Sequence, residues 1–172
     1  MGGIVRRSGF LKELEAEKKG PFFQLDSGNF LFESKEFPEV LVESRRIQAE
    51  ALVKAHEQMG LEATVPGDKD FALGLPAYEK LLGKSKIRVM AANLTAEGKN
   101  LFPGSVVLEK RDAEGKTVRI GVIGLVGENL AYPAPMKVEP RLPAFEKERA
   151  ALEGKTDFLV VLSHAGMESD LE

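Results

Sequence analysis

The sequence predicts one α/β domain in which helices pack between mostly parallel strands. Three observations lead there. Segments with helical periodicity alternate with short apolar runs. Gly or Pro stands at most of the changeovers. Several apolar runs end in Asp, Asn, Ser or His, the residue types expected where parallel strands share one carboxyl-end rim. The length of 172 residues fits a single domain. With 43% hydrophobic and 30% charged residues, the chain has the balance of a folded globular protein rather than a disordered tail. A formal charge of -3 argues against a nucleic-acid-binding surface. The absence of cysteine excludes disulfides, thiolate metal sites and cysteine nucleophiles. No apolar run approaches the roughly 18 residues of a membrane helix, and residues 1–7 lack the apolar core of a signal peptide.

Ile4 to Lys19 reads as the first helix, with Ile4, Leu11 and Leu14 on one side and Gly20-Pro21 as its stop. Phe22 to Leu25 is a short strand that ends in the turn cluster Asp26-Ser27-Gly28-Asn29. Glu39 to Met59 is the clearest helix, with Pro38 before it and Gly60 after it. Its expected apolar stripe is Val40, Ile47, Ala51 and Ala55. Leu61 to Val65 is the next strand, closed by Pro66-Gly67-Asp68-Lys69-Asp70. Pro76 opens a helix carrying Tyr78, Leu81 and Leu82, and Ile87 to Ala92 is a strand followed by Asn93. Ser105–Lys110 and Thr117–Leu125 form a hairpin around a Gly-containing loop. Residues 127–140 read as loop, 142–152 as helix, and Phe158 to Leu162 as a strand buried on both faces. Ser163 and His164 follow it directly.

If the strands are parallel, Asp26, Asn29, Asp68, Lys69, Asp70, Asn93, Ser163 and His164 gather at one rim. Singly, Asp26, Asn29 and Asp68 are ordinary turn or cap residues. Together, carboxylates, an amide oxygen and an imidazole suit a divalent cation such as Mn, Zn or Fe. Such a cation would polarise a phosphoryl oxygen or activate water. His164 is the sharpest candidate, because an imidazole after five apolar residues needs a partner. His56, near a helix C-terminus, would favour the helix dipole when partly charged and is assigned no function. Arg6 and Arg7 suit either an anion or a solvated helix face. Gly121-Val122-Ile123-Gly124 lacks the third glycine and the following helix of a dinucleotide fingerprint.

Taken in order, these segments resemble the 5′-nucleotidase branch of the calcineurin-like metallophosphoesterases. Gly2-Gly3-Ile4-Val5-Arg6-Arg7 is similar to a Gly-Gly-x-x-Arg-Arg segment of that family. Leu25-Asp26-Ser27-Gly28-Asn29 stands in the slot of its Asp-x-Gly-Asp motif. Gly67-Asp68-Lys69-Asp70-Phe71, with Gly74, stands in the slot of Gly-Asn-His-Glu-Phe-Asp-x-Gly. Ala91-Ala92-Asn93-Leu94, Lys116 to Leu125, and Leu162-Ser163-His164-Ala165-Gly166 with Asp170 resemble three further motifs in the family's order.

The resemblance implies a layered α/β/β/α sandwich with mostly parallel strands and one antiparallel hairpin. It implies a phosphoric ester hydrolase that uses a divalent metal, Mn, Zn, Fe or Mg, and acts on a small phosphorylated substrate such as a nucleotide. It implies a periplasmic or extracellular location. Residue by residue, the family's bridging aspartate falls on Asn29, its metal-binding asparagine on Asp68 and its catalytic histidine on Lys69. His164 keeps a metal-ligand identity, Asp26 is a further metal candidate, and Arg6 and Arg7 are phosphate-binding candidates. The family's first strand and its final Gly-x-His-x-His motif have no counterpart within residues 1–172, so the chain is expected to be a fragment of one such domain. Unpaired strand edges would then favour oligomerisation. The alternative function is a degenerate, non-catalytic member that binds a ligand or partner, because Asn29 and Lys69 replace a carboxylate and a histidine.

Overall fold

The computed structural model describes residues 3–18 and 20–171. Met1, Gly2, Lys19 and Glu172 lie outside the described residues, and with them one glycine of the Gly-Gly segment and the expected end of the first helix. The elements run α1 (Ile4–Glu17), β1 (Leu25–Asp26), α2 (Val42–Gln58), β2 (Ala63–Thr64), α3 (Leu75–Leu82), β3 (Arg88–Val89), β4 (Leu94–Ala96), β5 (Lys99–Asn100), β6 (Ser105–Arg111), β7 (Thr117–Val126), β8 (Met136–Val138), α4 (Arg141–Leu152), β9 (Phe158–His164) and α5 (Met167–Asp170). Short 3₁₀ turns precede α2 and follow β2.

Among the described residues the strands form three sheets. β1, β2 and β3 are parallel neighbours, joined by crossovers through α2 and α3. β6, β7 and β9 form the second sheet, with the expected antiparallel hairpin β6–β7 and a parallel partner β9. A small antiparallel sheet in the order β5-β4-β8 was not expected. Its strands are two or three residues long, and β8 lies inside the Pro-rich stretch read as loop.

Three apolar clusters establish the layers. Ala49 and Val53 of α2, with Tyr78 and Leu82 of α3, pack on one face of the β1–β3 sheet. Ala63 and Met90 meet Leu108, Ile120 and Val122 between the β1–β3 sheet and the sheet of β6, β7 and β9. Ile123 and Leu125 of β7 meet Leu152 of α4 on the far side. The order helix, sheet, sheet, helix is the layered α/β/β/α sandwich. The period of two along β7 sends Ile120 and Val122 to one layer and Ile123 and Leu125 to the other. Gly124 allows a close approach of the sheets: a side chain there would collide with the Met90 carbonyl. The Ala92 N–H instead donates to Gly124 O at 2.8 Å.

Two expectations about burial are corrected. The stripe Val40, Ile47, Ala51 and Ala55 is not the buried face of α2; Ala49, Val53 and His56 are. The small Ala49 permits close packing, and the polar His56 tolerates burial because both ring nitrogens have partners, Leu52 O and Arg7. β9 is not buried on both faces: Phe158, Leu159 and Val161 are exposed. Among the described residues it pairs with β7 alone, so an unbroken apolar run here marks an edge strand.

Candidate functional site

The loops after β1 and β2 meet the end of β9 at the carboxyl rim. A side chain built on Gly28 would lie 2.6 Å from both Gly67 N and Val65 O, and one on Gly67 would collide with the Asn29 side chain. The two loops therefore pack backbone to backbone. Gly28 and Asn29 both take the left-handed conformation, with φ of 97° and 58°. Glycine does so freely and asparagine more readily than most residues.

Asp70 builds this junction. It is 1% exposed. Its carboxylate accepts the N–H groups of Asn29 at 2.8 Å, Leu31 at 3.0 Å and Gly67 at 2.9 Å. Burial still pushes its carboxyl above the ordinary value, against the pull of those three donors. Asp70 is thus a scaffold that presents its neighbours.

Asn29, Asp68 and His164 are brought together in front of it. The Asn29 carbonyl oxygen accepts the Lys69 N–H at 2.8 Å. A backbone N–H can only donate, so this contact fixes the orientation of the amide. The Asn29 NH2 then donates to Asp68 Oδ1 at 3.0 Å and faces His164 Nε2 at 3.1 Å. His164 Nε2 must accept, which leaves its proton on Nδ1, directed at the Ser27 carbonyl. Asp68 Oδ2 takes the Lys35 ammonium at 2.7 Å. Burial alone would raise the Asp68 carboxyl, but Lys35 and the Asn29 amide outweigh it and hold it below the ordinary value.

The other candidates lie differently. Asp26 accepts the Gly28 N–H at 2.9 Å and pairs with Arg7 at 3.4 Å. Arg7 also reaches His56 Nε2 at 3.4 Å, so it clamps α1 to β1 and α2. Arg6 is exposed and makes no side-chain hydrogen bond among the described residues. Lys69 lines a cleft of about 450 Å³ with Asn29, Asp68, Leu130, His164 and Gly166, and its ammonium has no ion-pair partner among the described residues. Asn93 is fully buried and bonds only to backbone, at Val126 and Glu139, so it ties strands together away from the cleft. The partly charged His56 is also corrected: it is 5% exposed and burial lowers its pKa, against the Leu52 carbonyl that favours its proton.

Lys35 and the scaffold role of Asp70 were not read from the sequence. Lys35 comes from an irregular loop without periodicity, although its Nζ also reaches Ala131 O at 3.0 Å. The acidic pair flanking Lys69 was visible; its division into one scaffold and one rim carboxylate was not. The donor set does not fit a divalent metal centre by itself. Among the described residues no group of three or more His, Asp or Glu side chains is placed to hold a metal ion. The Asp68–His164 pair is 3.6 Å apart, and both members are already hydrogen bonded to the Asn29 NH2.

No family model matches the chain, and no curated protein matches it. Solved structures do. A 5′-nucleotidase precursor from Thermus thermophilus matches with a TM-score of 0.77 and 26% identity, over 99% of this chain and 33% of the other. NAD nucleotidase from Haemophilus influenzae matches with a TM-score of 0.76 and 20% identity, over 99% of this chain and 30% of the other. The calcineurin-like phosphoesterase YfkN from Bacillus subtilis matches with a TM-score of 0.75 and 18% identity, over 96% of this chain and 54% of the other. The chain spans about a third of the length of the two nucleotidases. Its fold is that of 5′-nucleotidases and calcineurin-like phosphoesterases.

Proposed function

We propose that this chain carries a phosphate-ester recognition site of a 5′-nucleotidase-like phosphoesterase, with nucleotides and related phosphate monoesters as its ligand class. The convergence of Asn29, Asp68, Lys69 and His164 from three segments on one cleft rim carries this reading. Lys69 offers a positive charge to phosphate oxygens beside that cleft, and a cleft of about 450 Å³ is in the size range of small-ligand sites. The nucleotidase and phosphoesterase neighbours supply the ligand class. Hydrolysis by a metal-activated water is the finer reading of the resemblance. It calls for donors beyond the Asp68–His164 pair, and we assign it to a longer protein of which this chain forms one portion. A location outside the cytoplasm accompanies that reading as part of the same resemblance.

Calorimetric titration of the chain with AMP and with inorganic phosphate, in chelator and in Mn²⁺, separates binding from turnover. Binding that persists in chelator and weakens about tenfold in Lys69→Ala, roughly 1.4 kcal/mol, is expected. No binding under either condition overturns the reading. Phosphate release that requires Mn²⁺ and disappears in His164→Ala would instead make this chain a hydrolase in its own right.

The second reading, a non-catalytic binding module, is favoured by one observation: Lys35 already neutralises Asp68. A full-length, metal-replete protein that binds AMP and releases no phosphate would select it.

A further inference from the structure

Asp68 and His164 are cleft-lining rim side chains with the chemistry of metal ligands, and the atoms they turn toward each other are already hydrogen bonded. The Asn29 NH2 faces both Asp68 Oδ1 and His164 Nε2, at 3.0 and 3.1 Å. A cation held by His164 would need the single Nε2 lone pair of the neutral ring, and that lone pair already accepts the Asn29 N–H. Asn29 cannot simply turn aside. Its Oδ1 is held by the Lys69 N–H, its own N–H by Asp70, and its side chain lies against Gly67. On the other oxygen of Asp68, the Lys35 ammonium sits at 2.7 Å and is itself anchored to Ala131 O.

We propose that the Asn29 carboxamide and the Lys35 ammonium together take up the electron pairs a cation would need at this rim, so that it is assembled by hydrogen bonds and stays closed without a divalent metal. Lys35 supplies the positive charge, and Asn29 supplies two directed donors. The neutral amide in place of a bridging carboxylate and the ammonium drawn in from the loop after β1 are two halves of one arrangement. Each would be a poor substitution alone: an aspartate at position 29 would face Asp68 with like charge, and an unpaired Asp68 would be a partly buried carboxylate without a counter-ion. The inference does not depend on the phosphate-ester reading, and its test contains no phosphate.

The chain and the double variant Asn29→Asp/Lys35→Met are titrated with Zn²⁺ and Mn²⁺. The double variant gathers Asp68, His164 and a new carboxylate around a vacated charge. It is expected to bind at least about tenfold more tightly than the wild type, with the gain lost on adding His164→Ala. Wild-type binding as tight as that of the double variant, lost in His164→Ala, overturns the proposal. Imidazole ¹H–¹⁵N spectra of the unaltered chain supply an arm that needs no rim variant to fold, with His56→Gln assigning the two histidines. His164 is expected as the Nδ1–H tautomer, with resonances unmoved by Zn²⁺. An Nε2–H tautomer, or a His164 signal shifted by Zn²⁺, overturns it.

Discussion

β9 ends in one kind of surface and runs along another. At its carboxyl end, His164 is held between Ser27 and Asn29, and Ser163 donates to Asp170 at 2.6 Å. Along its length, Phe158 is 63% exposed, with Leu159 and Val161 also open. α1 is similar to that open side: it buries no residue, and Val5 and Phe10 are 81% and 58% exposed. The rim carboxylates, amide and imidazole thus have partners for their polar atoms, whereas the flank leaves apolar side chains without cover. The contrast separates two sources of order. Rim geometry is set by a few directed bonds to buried donors, and losing one leaves an unmet polar group. The flank contributes little to the folded state of this chain and carries the surface most prone to association.

The sharpest way to break the rim is Asp70→Ala, which strands three backbone N–H groups. A loss of about 3 kcal/mol or more is expected in urea unfolding, together with loss of the His164 tautomer preference. A loss below about 1 kcal/mol would mean that water replaces the carboxylate easily. Next is Gly67→Ala, whose methyl group meets Asn29; about 1–3 kcal/mol is expected from overpacking. A smaller effect comes from His56. Burial lowers its pKa in the folded state, so the unfolded chain takes up a proton first as pH falls. Its contribution to stability is complete above the ordinary histidine value of about 6.5 and declines as pH drops below that toward the lowered folded value. His56→Gln should flatten this part of the stability–pH curve. An unchanged curve would show another group responsible. The smallest change belongs to the flank: Val161→Lys should alter unfolding free energy by less than about 0.5 kcal/mol. It should also reduce self-association in sedimentation velocity, which would tie the open edge to oligomerisation.

How legible these features were follows from their physics. α2, the β6–β7 hairpin and β9 were readable as elements because each is long and bounded by Gly, Pro or turn residues. β4, β5 and β8 were not, since two or three residues carry no period. Burial misled where pattern alone was used. An apolar run such as 158–162 shows that a segment can be covered, not that neighbours cover it. The same limit applied to α2, where Ile47 is exposed and His56, with its hydrogen-bond partners, is buried. At the rim, Asn29, Asp68, Lys69 and His164 were visible because they follow strands whose tips converge. Lys35 was invisible because its contact with Ala131 joins positions 96 residues apart, with no local pattern at either.

The back-to-back packing of Gly67 and Asn29 also bears on how this chain can drift over generations. A residue larger than glycine at 67 has no room while Asn29 keeps its place, and Asn29 is held from both its backbone and its amide. Neither position can explore alternatives alone. Descendants should therefore change the two together or not at all, and a chain that has altered one while keeping the other should have rebuilt the whole corner.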